Sequence, residues 1–272
     1  MTKIAILQMT SGIDPEANAA VLNDACTQAK AGGAAMLFTP EMSGLLDRDR
    51  ARAAGNITTP DADPVLRHMR EAAIRHGLWF CLGSLAVRAG KRLANRSFVI
   101  GPDGDIAAQY DKMHMFDVDL DNGESWRESN AYQAGDAVVT ADTPAGRLGL
   151  SICYDLRFPA MFDVLGNAAC DVIAIPAAFT VPTGRAHWHI LLRARAIEAS
   201  AYVVAAAQTG VHADGRETYG HSLVVDPWGE VVLDMGDEPG IAFAKIDPAR
   251  IAAVRRQVPS LANRRPIATL RS

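Results

Sequence analysis

Short apolar runs alternate with Ala-rich or amphipathic stretches along nearly the whole 272-residue chain, and this alternation constrains the fold more than any other feature. Residues 3–9 (KIAILQM), 34–41 (AAMLFTPE), 78–87 (LWFCLGSLAV), 146–155 (GRLGLSICYD), 171–179 (DVIAIPAAF), 201–208 (AYVVAAAQ) and 240–247 (GIAFAKID) read as strands. Helices are predicted over 15–30, ended by Gly32-Gly33, over 64–75, ended near Gly77, over about 158–167, and over 186–200. In the last of these, Ile190, Leu191, Ala194 and Ile197 are expected to form one apolar face. Two hairpins interrupt the pattern, 96–112 turning at Pro-Asp-Gly and 221–235 turning at Pro-Trp-Gly. Alternation with hairpins predicts an α/β fold whose sheets are mixed. A basic tail, 255–266, closes the chain, and no low-complexity linker divides it, so residues 1–272 are expected to form a single domain.

A faint internal echo aligns residues 97–106 (SFVIGPDGDI) with 222–231 (SLVVDPWGEV), each preceded by a helix and a strand. Two readings stay open. Two similar halves pack sheet on sheet with helices on the outer faces, or two hairpins merely share a Pro-x-Gly turn.

The composition removes whole classes of function. A net charge of −4 and a pI of about 6.0 leave no basic surplus for a phosphate backbone, so no nucleic-acid partner is expected. No apolar stretch reaches the roughly 18 residues of a membrane helix. The N-terminus lacks a signal-peptide cleavage pattern, and the four cysteines (Cys26, Cys81, Cys153, Cys170) form no C-x-x-C pair. A reduced, cytoplasmic protein is expected. Matches to N-x-[ST] at Asn56 and Asn95 are then read as chance.

Three residues stand where strands end. Cys153 closes the strand 146–153 just before the chain turns into a helix. A side chain at such a corner projects from the sheet, and the amides beyond it, Tyr154 N–H first, point at any bound anion. Cys26, Cys81 and Cys170 lie inside regular elements and read as packing residues. None of the seven histidines stands at a comparable strand end, so the base need not be histidine. Glu41 follows Pro40 at the end of a buried strand, where desolvation is expected to raise its pKa toward neutrality. Lys112 closes the first hairpin, and its ammonium suits a developing oxyanion. Taken singly, a buried packing cysteine, a loop carboxylate and a solvated lysine are the plainer readings. Taken together, the three suit acyl transfer at an amide carbon: Cys153 attacks, Glu41 shuttles the proton, and Lys112 with the Tyr154 N–H holds the oxyanion. This chemistry needs no metal and no organic cofactor.

The strings FTPE, YDKMHMFDVD and LSICYDLRFP, in that order, resemble the three blocks of the nitrilase, or carbon–nitrogen hydrolase, superfamily. The resemblance runs along nearly the whole chain and implies a four-layer αββα sandwich that pairs into a homodimer. The C-terminal tail, about 248–272, is expected at that contact. It also implies a second glutamate beside the nucleophile, Glu128 in WRESNAYQAGD, orienting Lys112 or the attacking water. KMHMFDVD, CYDLRFP and YGHSLVVDPWG resemble the Nit branch, which contains deaminated glutathione amidases and ω-amidases, and VVAAAQTG with the RRP tail favours the deaminated-glutathione side. The implied partner is a small amide of a 2-oxo acid bearing free carboxylates. Arg157, one turn beyond Cys153, is the expected carboxylate reader, against a rival ion pair with Asp155 or Glu198. Arg193 and Arg195 are expected to be structural or interfacial. Phe179 and Thr180 are expected at the pocket mouth, and residues 117–132 at its entrance. One departure stands out: relatives usually carry glutamate where this chain has His189. The alternatives are an N-carbamoyl amino acid amidohydrolase, another small aliphatic amidase, or a non-catalytic scaffold on the same fold.

Overall fold

The computed structural model describes every residue except 122, 124 and 266–272. Twelve strands build two six-stranded sheets. The first sheet holds β1 (Thr2–Gln8), β2 (Met36–Phe38), β3 (Trp79–Ala89), β4 (Arg92–Ile100) and β5 (Ile106–Asp111). The second holds β6 (Thr140–Thr143), β7 (Gly146–Leu150), β8 (Val172–Ala174), β9 (Tyr202–Ala205), β10 (Leu223–Val225) and β11 (Val231–Asp234). The last strand, β12 (Gly240–Ile246), returns to the first sheet and runs antiparallel to β1, pairing Thr2 with Ile246 and Gln8 with Gly240.

The spatial order is β12-β1-β2-β3-β4-β5 in one sheet and β6-β7-β8-β9-β10-β11 in the other. Each therefore runs antiparallel edge, three parallel strands, antiparallel hairpin. The echo read in the sequence is thus a duplicated topology. Its details repeat as well. The hairpin turns place Gly104 at φ 82° and Gly229 at φ 87°, where L side chains are strained. Arg70 Nε donates to the Gly104 carbonyl at 2.6 Å and Arg193 Nε to the Gly229 carbonyl at 2.7 Å. A Cβ on either glycine would meet Ile74 Cδ1 at 2.8 Å or Ile197 Cδ1 at 2.7 Å. The two helices concerned are α3 (Pro64–His76) and α5 (Val181–Ala199), capped by left-handed Gly77 and Ser200.

Alternation along the parallel strands divides the core. Ile4, Ile6, Met36 and Phe38 join Leu148, Leu150, Ile173 and Val203 in the core between the sheets. Their neighbours Ala5, Leu7, Leu37 and Phe80 pack outward on Leu22 and Cys26 of α1 (Pro15–Ala31) and on Leu66 and Met69 of α3. On the other side, α4 (Pro159–Asn167) and α5 cover the second sheet. The result is the expected αββα sandwich. A short α2 (Arg50–Ala54), capped by Asp49, was not predicted, its five residues being too few for periodicity to register.

Two expectations are corrected. The buried face of α5 is Gly184, Trp188, Leu192, Arg195, Ala196 and Ala199, whereas Ile190 is 69% and Ile197 50% exposed. The stripe was misread because it contains a cation. Arg195 is buried, donates to the Leu156 carbonyl at 2.9 Å, pairs with Glu198 at 2.6 Å and lies over the Phe162 ring. Nor is the tail only a tail. Asp247 caps α6 (Pro248–Gln257), which buries Ile251 and Val254 and includes residues 255–257. Beyond it, Arg264 bonds to the Asp163 and Glu198 carbonyls. The remainder of the predicted dimer contact, 266–272, lies outside the described residues.

Candidate active site

The sharp departure of the chain after β2 begins with a close approach. A Cβ on Gly83 would sit 2.0 Å from the Thr39 carbonyl oxygen and 2.3 Å from that of Pro40, so only glycine lets β3 pass this close. Thr39 Oγ1 accepts from Gly83 N at 3.0 Å, and Gln208 Nε2 donates to the Glu41 carbonyl at 2.9 Å. These contacts drive Glu41 into the interior, where it is 5% exposed. Lys112 arrives at the end of β5, its amide donating to the Asn95 carbonyl at 2.9 Å, and is 2% exposed.

Cys153 opens a single 3-10 turn, Cys153–Arg157, in the left-handed region at φ 49°. A non-glycine residue held there is strained, and such strain persists only where surrounding contacts enforce it. They do. Cys153 N donates to the Pro176 carbonyl at 2.9 Å. The fully buried Asp155 accepts from Ile152 N (2.8 Å), Tyr110 Oη (2.7 Å) and His114 N (3.0 Å), and sits 2.7 Å from His114 Nδ1. One carboxylate thus ties the cysteine corner to the strand that delivers Lys112. Tyr154 is the second residue of the turn, and the first amides of a helical turn have no carbonyl of their own to bond. Its N–H is therefore available to an oxyanion.

The side chains from these distant stretches meet. Lys112 Nζ lies 3.0 Å from Glu41 Oε1 and 2.9 Å from Glu128 Oε2. Ala178 N donates to Glu41 Oε2 at 2.8 Å, and Phe116 N to Glu128 Oε2 at 2.7 Å. The Cys153 thiol lies close enough to Glu41 for each group to shift the other's protonation. Asn95 Nδ2, unsuspected in the sequence, donates to Glu41 Oε1 at 2.8 Å and reaches Glu128 Oε1 at 3.3 Å.

The electrostatics follow from this cage. Burial alone would raise Glu41, but the Lys112 charge, the Cys153 thiol and the Ala178 amide outweigh it and hold the carboxyl below its ordinary value. The expectation of a raised Glu41 is thereby overturned: desolvation is present, yet the donors are stronger. Burial opposes the Lys112 charge, but Glu128 and Glu41 keep it well above the ordinary lysine range. Burial first, then the Glu41 charge, push the Cys153 thiol well above its usual value. At rest the site holds a thiol, two carboxylates and one ammonium.

The cleft above these groups measures about 660 Å³. Tyr154, Phe179 and Thr180 are in its wall, as are Trp126, Arg127 and Tyr132 of the segment expected to frame the entrance. Arg157 is not in the wall. Its guanidinium lies 5.2 Å over the Phe179 ring and 3.2 Å from His187 Nδ1, and neither Asp155 nor Glu198 pairs with it. The wall instead offers Arg48 and Arg50, whose guanidinium groups have no carboxylate partner among the described residues, although the Arg48 amide donates to Asp214 at 2.8 Å, whereas Arg216 pairs with Asp214 and Arg127 with Asp119. Their position just before and at the start of the unpredicted α2 hid them from sequence reasoning. His189 also lies outside the wall, 3.0 Å from Asp234 Oδ2. With His221 it forms the one histidine–carboxylate trio of metal-binding spacing among the described residues, but each Asp234 oxygen is already taken by one imidazole. Among the described residues, no helix is long and apolar enough to cross a membrane.

Residues 3–256 match the carbon–nitrogen hydrolase family. A deaminated glutathione amidase of Yersinia enterocolitica is 38% identical over 271 residues, covering 98% of this chain and 94% of that protein. The human deaminated glutathione amidase is 37% identical, covering 97% and 82%. Among solved structures, the NitFhit protein of Caenorhabditis elegans superposes with a TM-score of 0.90 at 38% identity, covering 97% of this chain and 65% of that longer one.

Proposed function

The chain belongs to the carbon–nitrogen hydrolase family and is a cysteine-dependent amidase acting on non-peptide C–N bonds; from that premise we propose that its substrate is a small 2-oxo-acid amide of the deaminated-glutathione type, cleaved through a thioester on Cys153. The observation that carries the mechanism is the Lys112 ammonium clamped between Glu41 and Glu128 in the cleft that Cys153 also lines.

Glu41, ionised at rest, takes the thiol proton as the sulfur attacks the amide carbon. The thiol is a poor acid here, so the transfer is favourable only while negative charge builds on the amide oxygen beside Lys112 and the Tyr154 N–H. Collapse of the tetrahedral adduct breaks the C–N bond, and Glu41 returns the proton to the departing nitrogen, releasing ammonia. Water then attacks the thioester with Glu41 again as base, and the C–S bond breaks to free the carboxylic acid and restore the thiol. The products balance one amide and one water. Glu128 holds Lys112 in place through both steps.

Arg48 and Arg50 replace Arg157 as the carboxylate readers, because they stand in the wall with guanidinium groups that pair with no carboxylate among the described residues. The exposed Val164, Ile190 and Ile197 on α4 and α5 support the expected homodimer, and four unpaired cysteines support a cytoplasmic setting.

An ammonia-release screen across deaminated glutathione, 2-oxoglutaramate, 2-oxosuccinamate and N-carbamoyl amino acids tests the assignment. Highest kcat/KM for deaminated glutathione, with no carbon dioxide, is expected. Preference for a carbamoyl substrate overturns it. Cys153→Ala is expected to abolish turnover on every substrate while retaining the native circular dichroism spectrum.

A further inference from the structure

Asn95 belongs to no part of the mechanism above, yet it sits inside it. The residue is on β4, 1% exposed, and its Nδ2 bonds to both carboxylates of the cage. Its Oδ1 is buried and has no hydrogen-bond partner among the described residues. A buried carbonyl left unpaired is costly. The amide is held in this orientation because the opposite one would turn its oxygen toward two carboxylates.

The pattern of donors on Glu41 is asymmetric. Oε1 accepts from Asn95 at 2.8 Å and from Lys112 at 3.0 Å, whereas Oε2 accepts from the Ala178 amide alone among these donors, at 2.8 Å. During attack Lys112 must turn hydrogens toward the new oxyanion, which weakens its hold on Oε1. Asn95 is neutral, buried and aimed at the same oxygen, so its hold does not change. We propose that Asn95 is the positioning residue of the site: it fixes the Glu41 carboxylate through Oε1 and directs the thiol proton to Oε2 while Lys112 turns to the oxyanion.

No new covalent step is involved. The inference rests on Glu41 being the base, and the test separates the two claims. The probe is iodoacetamide, whose reaction with Cys153 needs no assumption about the natural substrate. Its alkylation rate is followed from pH 3 to 9, over the range in which each protein stays folded, in the wild type, Glu41→Gln, Asn95→Leu and the milder Asn95→Ser, with alkylation of Cys153→Ala subtracted as background.

The wild type is expected to show an acid limb from Glu41 protonation, and Glu41→Gln to lack it. A limb that persists in Glu41→Gln overturns the base assignment and this inference with it. In Asn95→Leu, loss of a donor to the carboxylate moves the limb up by about one pH unit, a tenfold fall in rate below it. Asn95→Ser moves it the same way by a smaller amount. On the amide substrate, kcat falls about tenfold or more in Asn95→Leu while KM stays within threefold. A limb that disappears in Glu41→Gln but stays unmoved in both folded Asn95 variants overturns the positioning role alone. If Asn95→Leu does not fold, Asn95→Ser decides by the same criterion.

Discussion

Replacing Lys112 by Met asks what the buried ammonium does for the fold as well as for the chemistry. The substitution keeps length and apolar stem but leaves Glu41 and Glu128 facing each other without their shared cation. Both carboxylates reach the same Asn95 nitrogen, one at 2.8 Å and the other at 3.3 Å, so their oxygens lie only about 5 Å apart, and at an effective dielectric of about 20 their repulsion is about 3 kcal/mol. That corresponds to about two pKa units. One carboxyl of the pair then takes up a proton near neutrality, as coupled acids do. In the wild type Glu41 is depressed below 4.5, so its contribution to stability is present above that value and is lost as pH falls through the folded pKa. In Lys112→Met the raised carboxyl binds more protons folded than unfolded, and the variant gains relative stability as pH falls toward 4.5. Breaking a buried pair costs about 3–5 kcal/mol at pH 8. Urea denaturation at pH 8, 6.5 and 5 should therefore show the gap between variant and wild type narrowing by about 2 kcal/mol or more. A gap that holds constant across these pH values refutes the reasoning. Turnover at pH 8 is expected to fall by about 10²–10³, with the oxyanion losing its charged donor.

Other consequences are tested more simply. Gly83→Ala places a methyl against the Thr39 and Pro40 carbonyl oxygens, and we expect both a loss of about 2–4 kcal/mol in stability and a collapse of kcat, because the strand end that aims Glu41 must move; retained activity would show that β3 can shift freely. Asp155→Ala strips Ile152 N, His114 N and Tyr110 Oη of their acceptor, and a loss of about 3 kcal/mol or more is expected by denaturant titration, with Cys153 alkylation slowed in whatever folds. Arg48→Gln should raise KM for a dicarboxylic amide by at least tenfold and leave a neutral amide nearly unchanged, whereas Arg157→Lys should alter neither. Equal effects of Arg48→Gln on both substrates would remove it as a carboxylate reader.

What the sequence disclosed about the site depended on where each residue stood along its own element. Glu41, Lys112 and Cys153 terminate apolar strands, and strand ends are visible as the point where a period-2 or all-apolar run stops. Asn95 lies in the middle of β4 and Asp155 inside a five-residue turn, and their importance comes entirely from groups brought to them by other strands. No local pattern encodes that. The same reasoning accounts for the misplacement of Arg157: one turn beyond the nucleophile is near in sequence, but the 3-10 turn rotates the guanidinium onto Phe179. It accounts also for Glu41, whose burial was legible from its strand while the donors that reverse the effect of burial come from Lys112, Cys153 and Ala178.

The fold was legible further than the site because it is written twice. Each half must seat a hairpin turn on the helix that precedes it, and each does so with an arginine and an isoleucine four residues apart, Arg70 with Ile74 and Arg193 with Ile197, over a glycine in the left-handed region. The turn glycines were visible in the aligned strings, whereas their helix partners were not, because one helix hides a cation among its buried residues and blurs the apolar stripe. The two sheets then meet face to face, and the parallel strands of each end at one cleft: β2, the middle parallel strand of the first half, delivers Glu41, and β7, the first parallel strand of the second half, delivers Cys153. The base thus comes from one half and the nucleophile from the other. A chain of either half alone would hold one of the two groups, so the reaction requires the sandwich to close.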